Sequence, residues 1–495
     1  MGFTRFLVLL LAIIALFSMC VGASGFEVSG VGSKAMGMGG AFRAIANDWT
    51  AAYYNPAGYA KILDTQLGSS NGFLNYRYEL DPAYLWGDQY ESGIYNDQVN
   101  YNNHQIISNP SGGFVTRLPY FGEIGAGLSV YQLFDQNNTW NLYDLPIAYN
   151  SQLTLPDDQF SVNLDVVAFQ FTVAKEFNDE KLSLGLGLQL LRADLIYTNI
   201  YFRDNPYYDP TTFNPIAVRP FDKVTQWNKN DGNGYGFGLN FGMLYNVNEK
   251  LNVGVNARVP FKITVNGRSA LEFYMPLVSQ LDSSAIDDPN QLGTAGNVFV
   301  AGNKVVDSAD FEVELQLPSS FGIGLAYQVN DKLLVSLDAE YTLWSKYEGL
   351  NFLYSNHSGL TGAADTSALV NDFLTSDVSN PVEWENSGKI ALGISYDVNN
   401  YFTLLAGGTD DQSPSRINSQ LSPQFIDTGD KYTFSGGLTW HYRQYDFSFV
   451  TSYTTYPELT TTDLVDLNAD GLYDNFNGFF KAESYETVFS FVYRF

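Results

Sequence analysis

Leu251 to Val265 alternates from end to end. Leu251, Val253, Val255, Ala257, Val259, Phe261, Ile263 and Val265 are apolar, and Asn252, Gly254, Asn256, Arg258, Pro260, Lys262 and Thr264 lie between them. A period of two over this length gives an extended strand with one apolar face. Tyr235 to Val247 repeats the pattern, with Gly236, Gly238, Asn240 and Gly242 on the other face. Phe311 to Val329 and Leu333 to Leu343 do the same, the last with Ser336, Asp338, Glu340 and Thr342 on its polar face. The outward face of a soluble sandwich would be charged. Here the polar face is Gly, Asn, Ser and Thr with scattered charges.

The connections separate a membrane barrel from a sandwich. Short turns at Asn178-Asp179-Glu180, Asn246 to Glu249, Asn330-Asp331, Asn399-Asn400 and Arg443-Gln444 alternate with long polar segments such as 80–110, 204–232, 268–310 and 355–382. Short turns on one side and long loops on the other are the habit of outer-membrane barrels. The pattern predicts an all-β, antiparallel transmembrane barrel of about fourteen strands over 61–495, including 122–134, 182–203, 233–247, 250–267, 311–329 and 332–354. No apolar run after the N-terminus reaches the ~18 residues that a membrane helix needs, so any crossing is by strands in a closed barrel.

The first 23 residues read as a secretory leader: Arg5, an apolar core from Phe6 to Phe17, and Val21-Gly22-Ala23 as a small-residue cleavage site. Cys20, the single cysteine, leaves with it, so no disulfide is expected. The chain ends on Tyr485, Thr487, Phe489, Phe491, Tyr493 and Phe495 along one face, and aromatics make up 16% of it, which suits interfacial girdles. A net charge of −27 argues against nucleic acid as a partner.

One segment does not alternate. Residues 24–60 carry glycines at Gly32, Gly37, Gly39 and Gly40 and a rigid turn at Asn55-Pro56-Ala57-Gly58. Before a barrel, such a segment is either a plug inside it or a surface loop. It resembles the N-terminal hatch of the FadL-type outer-membrane transporters, through Gly25-Phe26, Ile45-Ala46-Asn47-Asp48 and Asn55-Pro56-Ala57. It is also similar to the hatch of barrels that serve type IX secretion. Further matches to the FadL-type family run from Tyr235-Gly236-Phe237-Gly238 to Arg258-Val259-Pro260, from Leu317-Pro318 to Trp344-Ser345, and from Gly388-Lys389 to Ser413-Pro414.

The resemblance implies fourteen strands, a hatch in the lumen and passive outer-membrane transport of hydrophobic small molecules, long-chain fatty acids first among them, by a monomer surrounded by outer-membrane lipid. It also implies lateral exit at the third strand, whose small-residue face is Gly125, Gly127 and Ser129, and a hatch tip at Phe26 that reaches the ligand's tail. The alternative from another class is a scaffold barrel for type IX-like protein secretion. An open porin would require the hatch to be displaced.

No catalytic constellation of nucleophile and base marks an enzyme. The three histidines, His104, His357 and His441, stand far apart. Arg258 and Lys262 fall on one polar face, two positions apart in the same row, and are the cations expected to meet a ligand carboxylate. Arg192 joins them if a bulge at Leu190-Leu191 shifts the phase. The plainer reading pairs these cations with acids such as Asp194, Asp338 or Glu340. Asp466, Asn468, Asp470 and Asp474 space oxygens like a calcium loop, with Gly471 at the turn, but Asn477 stands where a bidentate Glu belongs.

Overall fold

The computed structural model describes residues 25–82, 100–101, 106–119, 123–145, 149–178, 181–205, 223–277, 298–359, 368–415, 424–425, 430–461 and 478–495. The leader and the calcium-like loop at 466–474 lie outside the described residues.

The strands begin with β1 (Gln66–Pro82), β2 (Asn100–Tyr101), β3 (Ile106–Leu118), β4 (Ile124–Trp140), β5 (Phe160–Phe177), β6 (Leu182–Asp204) and β7 (Lys223–Asn248). Next come β8 (Leu251–Pro260), β9 (Ile263–Tyr274), β10 (Lys304–Leu315), β11 (Ser320–Asn330), β12 (Leu333–Thr342), β13 (Gly349–Ser355) and β14 (Val378–Pro381). The last are β15 (Ser387–Asn399), β16 (Phe402–Asp411), β17 (Lys431–Tyr442), β18 (Tyr445–Thr455), β19 (Leu459–Thr461) and β20 (Gly478–Arg494). Six wall strands are each described in two segments, as β2/β3, β8/β9, β10/β11, β12/β13, β14/β15 and β18/β19, so the barrel has fourteen antiparallel strands. β1 pairs with β3 on one side and with β20 on the other, Gln66 opposite Arg494 and Pro82 opposite Gly478, which closes the sheet. Closure leaves no wall edge to lipid along that seam.

The two ends of the wall are built oppositely. Near the short turns, β6 turns Leu184, Leu188 and Leu190 outward and Gly187 and Gln189 inward, and β7 turns Tyr235, Phe237 and Phe241 outward and Gly236, Gly238 and Asn240 inward. This is the lipid-facing band. Toward the long loops the sense reverses. Leu191, Ala193, Leu195, Val265, Phe311 and Val313 are buried inside, whereas Arg192, Asp231, Arg268 and Glu312 face out.

Two expectations are corrected here. The ladders of β6 with β5 and β7 run through Leu190 and Leu191 in unbroken register, so no bulge lies there. The apolar residues change sides because the strand leaves the membrane. Arg192 therefore points outward and pairs with Asp194 at 2.8 Å. The strand at 250–267 does the reverse. Gly238 of β7 is opposite Pro260 and Tyr235 is opposite Thr264, so three steps along β7 match four along β8/β9. The extra residue is a bulge that flips the parity. Ile263 and Val265 thus turn inward although their alternation never falters, and Arg258 and Lys262 end on opposite faces.

Candidate functional site

Residues 25–62 fill the lumen at the level of the lipid-facing band, and the wall grips them mainly by their backbone. Gln170 and Asn240 donate to the Ala52 carbonyl at 2.8 and 2.7 Å. Thr409 donates to the Gly39 carbonyl at 2.6 Å, and Gly39 N–H donates to Ser435 at 3.2 Å. Gly39 has φ 64° and lies so close to Gly408 that a Cβ would sit 2.7 Å from its nitrogen. Only glycine fits that contact. Gly40 follows with φ 82°, and Gly37 packs on Leu405 and Val450.

Asn55 caps the 3-10 turn Pro56–Lys61 by accepting from Ala57 N–H at 3.2 Å, and its amide donates to the Arg43 and Met243 carbonyls at 2.9 and 3.0 Å. Asn55, Pro56 and Ala57 lie directly on wall glycines Gly185 and Gly242. Gly125, Gly127 and Ser129 also face inward. A side chain at Gly125 or Gly127 would strike Tyr59, whose hydroxyl lies 2.7 Å from the Ser129 hydroxyl.

Buried charge ties the hatch to the wall at two points. Arg43, absent from the sequence expectations, is 4% exposed. Its guanidinium donates to Asn256 at 2.7 Å and to Asp338 at 3.2 Å, and pairs with Glu340. Asp338 also accepts the backbone N–H of Phe42 and of Arg43. Arg258 donates to Glu27 at 2.5 Å, and its guanidinium lies 4.3 Å from the centre of the Tyr53 ring. Among the described residues its buried Nε and Nη2 have no hydrogen-bond partner. Lys262 is half exposed and pairs with Glu314 on the outer surface. The lone arginine in the apolar run Ala41-Phe42-Arg43-Ala44, set against the inward acids of β12, was the signal for the first contact.

Phe26, near the hatch tip, sits in a box of aromatic rings. The centroids of Trp344, Tyr347, Phe134, Trp384 and Phe425 lie 4.9, 5.1, 5.6, 5.8 and 6.2 Å from its own, the first three edge to face. The two tryptophans flank the breaks before β13 and β15, at positions that strand alternation does not reach. The backbone of the tip is bonded to the wall as well. Asp135 N–H donates to the Phe26 carbonyl at 3.0 Å, and Val28 N–H to the Leu133 carbonyl at 3.5 Å. These partners lie where β4 bulges between Gln132 and Phe134. Among the described residues, β3 and β4 pair only from Gly112–Val130 to Leu118–Ile124. Beyond Val130 the edge of β4 is free of β3, and the hatch tip takes up part of its hydrogen bonding.

A closed wall with a lipid-facing aromatic and aliphatic band, an N-terminal plug bound inside it, and an apolar cluster above the plug define a plugged outer-membrane channel. A family profile described as outer membrane protein transport protein (OMPP1/FadL/TodX) matches residues 14–495, and the chain belongs to that family. It is an outer-membrane protein of a Gram-negative bacterium. The fold is similar to a Pseudomonas aeruginosa FadL homologue, at TM-score 0.69 and 16% identity over 95% of this chain and 99% of the other. It is also similar to the Pseudomonas putida toluene transporter TodX, at TM-score 0.63 and 14% identity over 95% and 99%. Outer membrane protein P1 of Haemophilus influenzae is 25% identical over 53% of this chain and 50% of its own. The chain spans half the length or less of the curated relatives it matches.

Proposed function

We propose that this barrel passes hydrophobic and amphipathic small molecules, long-chain fatty acids first among them, inward across the outer membrane without energy input. Phe26 carries the reading: an apolar side chain at the hatch tip fills an aromatic box within the apolar cluster inside the wall. A ligand entering from the long-loop side takes the place of the Phe26 ring. The tip then withdraws from Leu133 and Asp135 and frees the edge of β4. Exit runs sideways there, just beyond the small-residue face Gly125, Gly127 and Ser129. One chain suffices, since every wall ladder lies within it.

Displacing an occupant costs what its burial contributes, so Phe26→Ala is expected to tighten ligand binding, on the order of tenfold for an aromatic side chain. Equilibrium dialysis of the reconstituted barrel against labelled palmitate measures it. Binding unchanged by Phe26→Ala would remove the box from the pathway.

A ligand carboxylate reaching this level competes with Glu27 for Arg258. Arg258→Gln should therefore weaken the free acid more than its methyl ester, by about tenfold to a hundredfold for a charge-assisted bond. Glu27→Gln should tighten the acid, and Lys262→Gln should change neither ligand. Equal effects of Arg258→Gln on acid and ester would leave Arg258 a purely structural partner of Glu27.

A further inference from the structure

The lipid-facing band carries a polar block beside its seam. On β1 the outward positions between Leu67 and Phe73 are Ser69 and Asn71, and on β3 those between Ile106 and Phe114 are Ser108, Pro110 and Gly112. The register sets Ser69 beside Gly112, Asn71 beside Pro110 and Phe73 beside Ser108, so these residues are contiguous. Ser108 donates to the side-chain carbonyl of Asn71 at 3.0 Å. The block floors one end of a groove that runs from Pro110 across Ser69 and Asn71 to Phe489, Phe449 and Trp440. The groove crosses β3, β1, β20, β18 and β17, about 19 Å at the usual strand spacing.

The groove starts at the gap in the wall. β3 and β4 part beyond the pair Gly112–Val130, and Pro110 is the next outward residue on β3. Polar groups in hydrocarbon cost free energy unless they are hydrogen-bonded, so hydroxyls and an amide here suit an occupant with polar atoms of its own. No charged side chain is among the residues that line the groove, and an ion would be buried there without a partner. On β1 the next outward cation, Arg77, lies about 20 Å along the strand from Asn71 and pairs with Glu483 at 3.4 Å. From this geometry we infer that the groove is a landing site outside the wall for a long-chain molecule with an uncharged, hydrogen-bonding head, such as a fatty alcohol. The head rests on Ser69 and Asn71 as the molecule leaves the gap, and the tail lies across the rings of Phe489 and Phe449. The inference rests on the reading above that exit runs at the edge of β4.

The test uses the full mature chain in lipid nanodiscs and three probes that share one long alkyl chain bearing a photoreactive diazirine: the alcohol, the hydrocarbon without a head, and a phosphatidylcholine carrying the chain. After irradiation, adducts are located by mass spectrometry and normalised to those on Leu188 and Phe237, lipid-facing residues of β6 and β7. The alcohol is expected to label Phe489 and Phe449 about threefold to tenfold more than the hydrocarbon does, as for one net hydrogen bond. The phosphatidylcholine should label them no more than the hydrocarbon. Ser69→Val combined with Asn71→Leu and Ser108→Val should remove the alcohol's excess. These changes turn apolar side chains toward lipid, so the barrel should stay folded and heat-modifiable.

Equal labelling by alcohol and hydrocarbon would overturn the inference. So would a phosphatidylcholine that labels the groove as strongly as the alcohol, since the groove is then a seat for bilayer lipid. Adducts of the alcohol on Phe134 and Trp344 report separately on passage through the lumen. Adducts there with no excess in the groove leave the proposed route standing and the inference refuted. An excess in the groove with no adducts in the box means that the groove fills from the bilayer, and the route and the inference fail together. Should the triple variant not give a heat-modifiable barrel, the comparison of probes on the unaltered chain still decides the matter.

Discussion

A barrel lacking residues 25–60 should still insert and fold, and should conduct ions steadily in planar bilayers where the intact protein is nearly silent. The wall needs nothing from the hatch for its own closure, because each ladder joins one wall strand to another and β1 zips to β20 along its whole length. At the level of the lipid band the hatch covers an inner surface of Gly, Asn, Gln, Ser and Thr, which water wets readily. Fourteen strands enclose a lumen wider than side chains alone fill, since barrel diameter grows with strand number. Heat-modifiable mobility on gels reports folding, and single-channel recording reports the opening. A folded deletion variant as silent as the parent would mean that something other than the hatch seals the lumen.

The second large effect is expected from one side chain. Arg43→Ala should release the hatch without harming the wall. Arg43 is the guanidinium facing Asp338 and Glu340, both nearly fully buried. Removing the arginine leaves buried Asp338 charged without its cation, at a cost of about 3–5 kcal/mol. Applied to hatch seating, that raises the unseated fraction by a hundredfold or more. The hatch then becomes a substrate for protease added on the short-turn side, and current bursts appear in bilayers. Neutralising the acids as well, in Arg43→Met with Asp338→Asn and Glu340→Gln, should quieten the channel again, because no uncompensated charge remains. An Arg43→Ala barrel that is silent and protease-resistant would show that backbone contacts alone hold the plug.

Most of the wall was legible in the sequence because it follows from local chemistry, while local chemistry marked the hatch only as a segment that is not strand and the family resemblance put it in the lumen. Alternation marks a strand wherever it sits, and Gly-rich, Pro-bounded chain marks a segment that is not one. The facing of side chains was legible only where one rule holds throughout. Along β6 the apolar residues shift phase while the backbone does not, and along β8/β9 the backbone shifts while the apolar residues do not. Sequence records the residue and not the solvent it meets, so the first looked like a bulge and the second like an unbroken strand. That is why Arg258 and Lys262 seemed neighbours. The aromatic box was hidden for a different reason. Phe26, Phe134, Trp344, Trp384 and Phe425 come from five separate stretches, and only the closed barrel brings them together.

The reversal of the wall's two faces along its length has a mechanical consequence. Toward the long loops the wall obeys the rule of a water-soluble protein, with grease inside and charge outside, and toward the short turns it obeys the rule of a membrane. Urea is therefore expected to loosen the mouth while the bilayer still holds the base. The molecule is two materials joined along continuous strands, and on β6 the joint lies at Leu190 and Leu191.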